Sequence, residues 1–235
     1  MKKWYSSKLW TKIYARFFCK KFKDDPKKRE ELAHWIGEAL SSKDNNHFEQ
    51  FYCKEFGYEK KYFKQKALLD IGCGPSGSLE WADVAEKRIG VDPLAREYLW
   101  LGAWKQSMKY VACGTEKMPF EDSTFDVVFT FNALDHVDDL DASMQEIKRV
   151  LKPGGEFICI TDCNHQATVT EPTFIPLDFV NRYFNGWEIK EKAFFKHTRL
   201  RIYDSLLEER VEIDPKGSQF SGSCILKIHA KKPAN

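Results

Sequence analysis

The chain has 235 residues, of which 43% are hydrophobic, 14% aromatic and 31% charged, and its formal net charge at pH 7 is +2. This composition fits one large globular domain or a smaller domain with appendages, and it excludes a collagen-like, coiled-coil or disordered chain. No stretch reaches the ~18 to 20 apolar residues of a membrane-spanning helix, so we expect no membrane span.

The charge is concentrated at the N-terminus. Residues 1–29 contain eleven Lys and Arg but only Asp24 and Asp25 as acids, which leaves the remaining 206 residues with a net charge of −7. This asymmetry is typical of a solvated helix face, or of a weak surface association with an anionic membrane or nucleic acid. The basic residues interrupt any apolar signal region, so no secretory signal is expected. The seven cysteines are odd in number and show no C-x-x-C spacing, which favours reduced thiols and a cytoplasmic location.

Residues 1–60 are predicted as a helical N-terminal cap, and residues 61–235 as the main domain. The cap contains two series of apolar residues at helical spacing, separated by Asp25-Pro26. They are Trp10, Ile13, Tyr14, Phe17 and Phe18, then Leu32, Trp35, Ile36, Ala39 and Leu40. A third helix is predicted over residues 48–56, where Gly57 would end it. Pro26 suits the first turn of the second helix.

From Lys66 onward, short apolar runs alternate with helical patterns. Strands are predicted at residues 67–71, 88–91, 110–113, 125–131, 156–161, 187–195 and 224–230, and helices at 79–86, 95–106, 141–151 and 177–184. Residues 152–155, Lys-Pro-Gly-Gly, predict a turn. This alternation favours an α/β fold with a parallel sheet covered by helices. Cys159, Cys163 and His165 form a small cluster of metal-ligand types, but strand alternation separates their side chains, so no metal site is predicted.

A glycine-rich loop follows the first strand, in the sequence Leu68-Leu-Asp-Ile-Gly-Cys-Gly-Pro-Ser-Gly77. About twenty residues later the next strand ends in Asp92, whose carboxylate can accept hydrogen bonds from ribose hydroxyls. The pair predicts an adenosine-type ligand. Gly72, Gly74 and Gly77 also satisfy the dinucleotide fingerprint, so an NAD-dependent oxidoreductase is an alternative. Asp70, beside the first glycine, favours a cationic ligand over a pyrophosphate.

Five segments in order resemble the class I S-adenosylmethionine-dependent methyltransferases, and in particular the methyltransferase type 11-like group. They are residues 68–75, Asp92, residues 112–120, residues 125–136 and residues 150–155. The resemblance implies a Rossmann-like, mostly parallel sheet of about seven strands with an antiparallel last strand. Residues 66–162 would then be the cofactor half, and residues 163–235 would supply a lid and the final strands.

The resemblance also implies roles for seven residues toward S-adenosylmethionine. Gly72 and Gly74 would admit the methionine portion, Asp70 would face its ammonium group, and Asp92 would bind the ribose. The remaining three are Gly114 and Thr115 at the adenine edge and Asn132 near the methionyl group. The family often has Asp where this chain has Gly114, and Glu116 is the candidate substitute.

The expected activity is methyl transfer to a small-molecule or sugar-like acceptor, mainly by in-line positioning. His136 is the best-placed candidate for a general base, but a packing or capping role is the alternative, and no catalytic residue is assigned. The acceptor would lie between the N-terminal cap and the segment after the fifth strand. Trp35 and three other aromatic residues of the cap would line that pocket or belong to the core; the three are Tyr5, Trp10 and Tyr14. A methyltransferase acting on RNA, or a binding protein that uses the basic segment, is the further alternative.

Overall fold

The computed structural model describes residues 19–39, 47–199, 202–215 and 222–234. Seven strands form one sheet in the order β3-β2-β1-β4-β5-β7-β6. The strands are β1 (Ala67–Ile71), β2 (Lys87–Val91), β3 (Lys109–Val111), β4 (Phe125–Phe131), β5 (Leu151–Cys163), β6 (Glu188–Lys196) and β7 (Cys224–Lys231). The first five pair in parallel, and β7 is antiparallel to both of its neighbours. The predicted fold class is therefore confirmed.

The helices among the described residues are short, apart from two. They are α1 (Pro26–Ala39), α2 (His47–Tyr52), α3 (Ala95–Trp100), α4 (Leu140–Val150), α5 (Phe179–Tyr183) and α6 (Ile202–Asp204), which a π-helical turn, Ser205–Glu209, continues. Pro26 begins α1, as predicted, and Gly57 follows a 3₁₀ turn with φ +72°. The predicted first helix, over residues 10–18, lies outside the described residues. No helix within the described ranges is long and apolar enough to cross a membrane.

The sheet separates two apolar cores because successive strand residues point to opposite faces. On β1, Leu69 and Ile71 belong to the core that contains α4 and α5, whereas Leu68 belongs to the core that contains α2. Asp70 shares the face of Leu68 by this alternation. This period-two geometry decides where the Asp70 carboxylate points.

Three sequence predictions were wrong in detail, the first being the helix over residues 95–106, which ends at Trp100, before Gly102 at φ +106°. Residues 79–86 form successive turns and not a helix: their amides donate to carbonyls three residues back, and Arg88 donates to the carbonyl oxygens of Leu79 and Glu80. Tertiary hydrogen bonds here replace those of a helix. Residues 152–155 lie within β5, where Leu151 pairs with Phe125 before the register shifts. Gly154 has φ +73°, so the turn-type residue bends a strand.

Candidate functional site

The glycine loop joins β1 to the turns that follow it, and its shape depends on residues without a β-carbon. Gly72 has φ +69°, and its N–H donates to the carbonyl of Val91 at 2.9 Å. A β-carbon added at Gly72 would lie 2.2 Å from that of Ala133, on the neighbouring loop after β4. Glycine is therefore required at this position for both conformation and space. The two loops approach each other closely at the carboxyl ends of their strands.

Asp92 follows β2 and lies 8% exposed at the same edge of the sheet. Its Oδ1 accepts a hydrogen bond from the backbone N–H of Leu94 at 2.8 Å, which fixes the carboxylate at the start of the next segment. Burial raises the pKa of Asp92 to about 6, although hydrogen bonds from the Leu94 amide and the Tyr98 hydroxyl oppose the shift. The carboxylate is therefore ionised at neutral pH at a desolvation cost that a ligand's hydroxyl groups can offset.

The loop after β3 brings Gly114, Thr115 and Glu116 to this edge. The Oε1 atom of Glu116 accepts hydrogen bonds from the backbone amides of Asp138 and Asp139, at 2.8 and 3.3 Å. A β-carbon on Gly114 would lie 2.6 Å from Oε2 of Glu116. The Glu116 carboxylate thus occupies the space that a side chain at position 114 would take.

Asn132 directly follows β4 and has a left-handed backbone conformation. Its φ is +51°, and its amide donates to the carbonyl of Ile160 on β5 at 2.7 Å. Non-glycine residues with positive φ are uncommon and favour Asn. This turn leads into Ala133 and His136, which also line the cavity described below.

Helix α1 covers the site. The ring of Trp35 is 2.9 Å from where a β-carbon on Gly74 would lie, and it packs edge-on against Tyr98. Lys27 pairs with Asp138 at 2.6 Å. These contacts join the N-terminal segment to the ends of the strands across many residues of sequence, so α1 forms one wall of the site.

These elements enclose a cavity of about 480 Å³, within the size range of small-molecule sites. Five of the seven sequence-predicted cofactor residues line it: Gly72, Asp92, Gly114, Thr115 and Asn132. Trp35, Glu116 and His136 also line the cavity. Trp35 was one of four aromatic residues predicted for the pocket or the core, and the other three lie outside the described residues.

Two predicted residues, Asp70 and Gly74, are absent from this lining. Gly74 lies beneath the Trp35 ring. Asp70 is fully buried behind the glycine loop, where its Oδ2 accepts hydrogen bonds from the hydroxyls of Tyr52, at 3.1 Å, and Ser78. Burial raises the pKa of Asp70 to about 7, against the effect of these two hydrogen bonds. The strand alternation that placed Leu68 toward α2 places Asp70 there as well.

His136 has a strongly polar environment. Its Nδ1 lies 2.5 Å from Oε1 of Glu31 on α1. Burial opposes protonation of this imidazole, but the Glu31 hydrogen bond and the charges of Asp135 and Glu171 raise its pKa to about 9. Asp135 is fully buried, and burial raises its pKa to about 6. Sequence reasoning identified His136 but not Glu31, because the two residues are 105 positions apart and no local pattern links them.

Comparison with known proteins agrees with this geometry. A family model described as a methyltransferase domain matches residues 69–159. The chain is 46% identical over 98 residues to a sterol 4-C-methyltransferase of Caenorhabditis elegans, covering 38% of this chain and 29% of that protein. It is 32% identical over 118 residues to a demethylmenaquinone methyltransferase of Symbiobacterium thermophilum, covering 46% and 47% of the two chains. The chain thus spans less than half the length of these relatives.

Solved structures share the fold at low sequence identity. A Haemonchus contortus phosphoethanolamine N-methyltransferase 2, in complex with phosphomonomethylethanolamine and S-adenosylhomocysteine, matches with a TM-score of 0.59 and 21% identity, covering 80% of this chain and 52% of that one. An S-adenosylmethionine-dependent methyltransferase from Mesorhizobium loti matches with a TM-score of 0.57 and 14% identity, covering 79% and 98%.

Residues 69–159 match the methyltransferase-domain model, so this part of the chain is similar to the class I S-adenosylmethionine-dependent methyltransferases. The family match supports S-adenosylmethionine as the cofactor, and the residues present fit it. Gly72 leaves room for close backbone approach, the buried Asp92 carboxylate suits a pair of hydroxyls, and the cavity between them is of suitable volume.

Proposed function

We propose that this protein transfers a methyl group from S-adenosylmethionine to a small-molecule acceptor bound above the carboxyl ends of the strands. One observation carries the proposal: a single cavity is lined by the glycine loop and Asp92 together with α1 and His136. Cofactor and acceptor can therefore meet inside a partly closed site. The proposed division into a cap of residues 1–60 and a domain of residues 61–235 places the acceptor at their junction.

We assign the cofactor contacts as follows. Asp92 accepts hydrogen bonds from the ribose hydroxyls, and Gly114 and Thr115 lie along the adenine edge. Glu116 Oε2 accepts from the adenine amino group, since its other oxygen is already held by two backbone amides. Asn132 contacts the methionyl group. Because Asp70 is buried behind the loop, where it accepts a hydrogen bond from Ser78, we propose that it reaches the methionyl ammonium through water.

The acceptor class follows from the relatives and from the cavity. The relatives named above methylate a sterol, a demethylmenaquinone and a phosphorylated ethanolamine, by their descriptions. All three are small molecules, and a cavity of about 480 Å³ also suits a small acceptor next to the cofactor. This supports a small molecule over RNA.

The chemistry we propose is positioning. The sulfonium of S-adenosylmethionine supplies an electrophilic methyl group, so the main task of the protein is to align the acceptor with it. The pKa of His136, raised to about 9, leaves the imidazole mostly protonated at neutral pH. His136 is therefore a poor general base in this state, and it orients groups in the site through its pairing with Glu31.

We also propose that the protein acts in the reducing cytoplasm. Six described cysteines are free, and Cys163 and Cys224 are paired opposite each other on β5 and β7 without a disulfide. The test is to alkylate free thiols in cells that express the protein and then to measure whether Cys163 and Cys224 are reduced. Recovery of an oxidised Cys163–Cys224 pair would contradict it.

The direct test combines binding with transfer. Purified protein is titrated by calorimetry with S-adenosylmethionine, S-adenosylhomocysteine and NAD, and we expect saturable binding of the first two only. The same protein is incubated with methyl-labelled S-adenosylmethionine and separate pools of sterols and quinones, phosphorylated amines, and total RNA. Label in a low-mass product that is absent with Asp92→Asn supports the proposal. Label in RNA alone, or binding without any transfer, would refute a small-molecule acceptor.

A further inference from the structure

Four metal-ligand side chains from separate segments converge beside the cavity. Asp135 and His136 lie in the 3₁₀ turn after β4, and His165 and Glu171 lie in the segment after β5. The Nε2 atom of His136 is 3.9 Å from Oδ1 of Asp135 and 4.0 Å from Oε1 of Glu171. The Nε2 atom of His165 is 3.6 Å from Oδ2 of Asp135. Asp135 is therefore at the centre of the group.

The central carboxylate has no hydrogen-bond partner among the described residues. Asp135 is 0% exposed, and neither of its oxygens is hydrogen-bonded. The Nε2 atoms of His136 and His165 are also buried and unpartnered. Their separations from Asp135 exceed hydrogen-bond distance, and a buried, unpaired carboxylate is costly. A protonated His136 supplies positive charge near Asp135 but stays outside hydrogen-bond distance, whereas an ion between these atoms would displace that proton and contact both side chains directly.

Both imidazoles are oriented in the manner of metal ligands. Nδ1 of His136 lies 2.5 Å from Oε1 of Glu31, and Nδ1 of His165 lies 2.8 Å from the backbone carbonyl of Gln166. Because both of these oxygens are hydrogen-bond acceptors, Nδ1 of each ring must carry a proton. In the neutral ring Nε2 is then unprotonated, and its lone pair faces Asp135. Histidines that bind metals almost always donate their other ring N–H to a carboxylate or a backbone carbonyl. Here His136 has the carboxylate of Glu31 as this partner, and His165 has the backbone carbonyl of Gln166.

We propose that Asp135, His136, His165 and Glu171 bind a divalent transition-metal ion. Bond lengths of about 2.0 to 2.2 Å place neighbouring ligand atoms roughly 3 to 3.5 Å apart. The ligand atoms of Asp135, His136 and Glu171 already lie within 4.8 Å of one another and need only a small closure, whereas His165, 3.6 Å from Asp135, must turn towards the other two to complete the set. Two imidazole nitrogens with two carboxylates favour Zn²⁺ or a similar transition metal, whereas Mg²⁺ and Ca²⁺ prefer all-oxygen sites.

The position of the site suggests its use. His136 also lines the cavity, so an ion bound to its Nε2 would lie beside the space in which we propose that the acceptor binds. Such an ion would hold an oxygen of the acceptor and favour its deprotonated form. This role rests on the proposed function. Metal binding itself does not, and the experiment therefore measures binding alone.

The test uses the full chain, stripped of metal with a chelator and then titrated with Zn²⁺, Co²⁺ and Mg²⁺ separately. We expect one equivalent of Zn²⁺ by calorimetry, a visible absorption band with Co²⁺, and no saturable binding of Mg²⁺. His165→Gln should weaken Zn²⁺ binding at least tenfold, and Glu31→Gln, which removes the partner of His136, about tenfold. His34→Gln is the matched control, because His34 lines the same cavity outside the cluster.

The outcomes separate this site from other binding. A circular-dichroism melt establishes that each variant is folded, and His165 lies on a loop where substitution is tolerated. Equal Zn²⁺ affinity in wild type and His165→Gln would overturn the proposal, because thiol coordination elsewhere is indifferent to this change. Failure of the folded wild type to bind Zn²⁺ would overturn it as well. Selective loss in His165→Gln and Glu31→Gln, with His34→Gln unchanged, would support it even if no methyl acceptor were found.

Discussion

Asp92→Asn is the sharpest perturbation of the cofactor site, because it removes the charge and keeps the shape. Oδ1 of Asp92 accepts the Leu94 amide at 2.8 Å, and the asparagine oxygen can retain that bond. The second acceptor oxygen, which we assign to a ribose hydroxyl, becomes an NH₂ donor. Alanine would also leave the Leu94 amide unpaired, and any lost affinity would then be mixed with lost stability.

The expected magnitude follows from the loss of a charged hydrogen bond, which contributes about 1.5 to 3 kcal/mol. The affinity for S-adenosylmethionine should therefore fall about 10- to 150-fold. The ligand-free variant should melt at the same or a higher temperature at pH 7.5. The reason is that burial raises the pKa of Asp92 to about 6, which means that folding disfavours its ionised form.

Two measurements check this reasoning. Calorimetry should show the loss in Asp92→Asn but not in Asp138→Asn, a control at an exposed carboxylate of the same cavity. In the wild type, affinity should be constant above pH 6 and fall towards tenfold per pH unit below it, as the Asp92 carboxyl is protonated. In Asp92→Asn this dependence should disappear. Unchanged affinity in a folded Asp92→Asn protein would refute the assignment of Asp92 to the ribose.

Three further changes test neighbouring features. Glu116→Gln keeps the hydrogen bonds from the backbone amides but places an NH₂ donor opposite the adenine amino group. The affinity for S-adenosylmethionine, measured by calorimetry, should therefore fall about tenfold. An unchanged Kd would show that Glu116 does not contact the adenine. Gly72→Ala should lower the free energy of unfolding by about 2 kcal/mol or more in urea melts. Gly154→Ala is the control, because Gly154 also has positive φ but its added β-carbon would have no atom within 4 Å, so only the smaller conformational strain is expected. Equal losses in the two variants would show that crowding against Ala133 is unimportant. Asp70→Asn should stabilise the protein more at pH 8 than at pH 5. Because the pKa of Asp70 is raised to about 7 in the folded protein, its contribution to folding stability is fully present below its unfolded pKa and is lost as pH rises through 7. The same difference in melting temperature between variant and wild type at both pH values would contradict this.

Much of the cofactor site was predictable because it depends on local sequence. A buried strand that runs into glycines must turn sharply, and an acid at the end of the next parallel strand must lie at the same edge of the sheet. Gly72 and Asp92 follow from these two rules. Gly114, Thr115 and Asn132 came from the resemblance, and the cavity lining includes all three.

The direction of the Asp70 side chain was not apparent from the motif alone. Its carboxylate is fixed by hydroxyls of Tyr52 and Ser78, and Tyr52 comes from a helix outside the motif. The turns at residues 79–86 have a similar explanation, since Arg88 on β2 binds carbonyls that a helix would have used internally. In both places, long-range hydrogen bonds override the local pattern.

The sequence by itself determined the α/β sheet, the glycine loop and the acid at the end of β2, because hydrophobic periodicity and backbone sterics act over a few residues. Only the tertiary structure placed α1 over the strand ends and brought Glu31 to His136, and His165 and Glu171 to Asp135. Such contacts join residues up to 111 positions apart in the chain. No local propensity encodes them, since they arise when packing of the whole fold brings separate segments to one edge of the sheet.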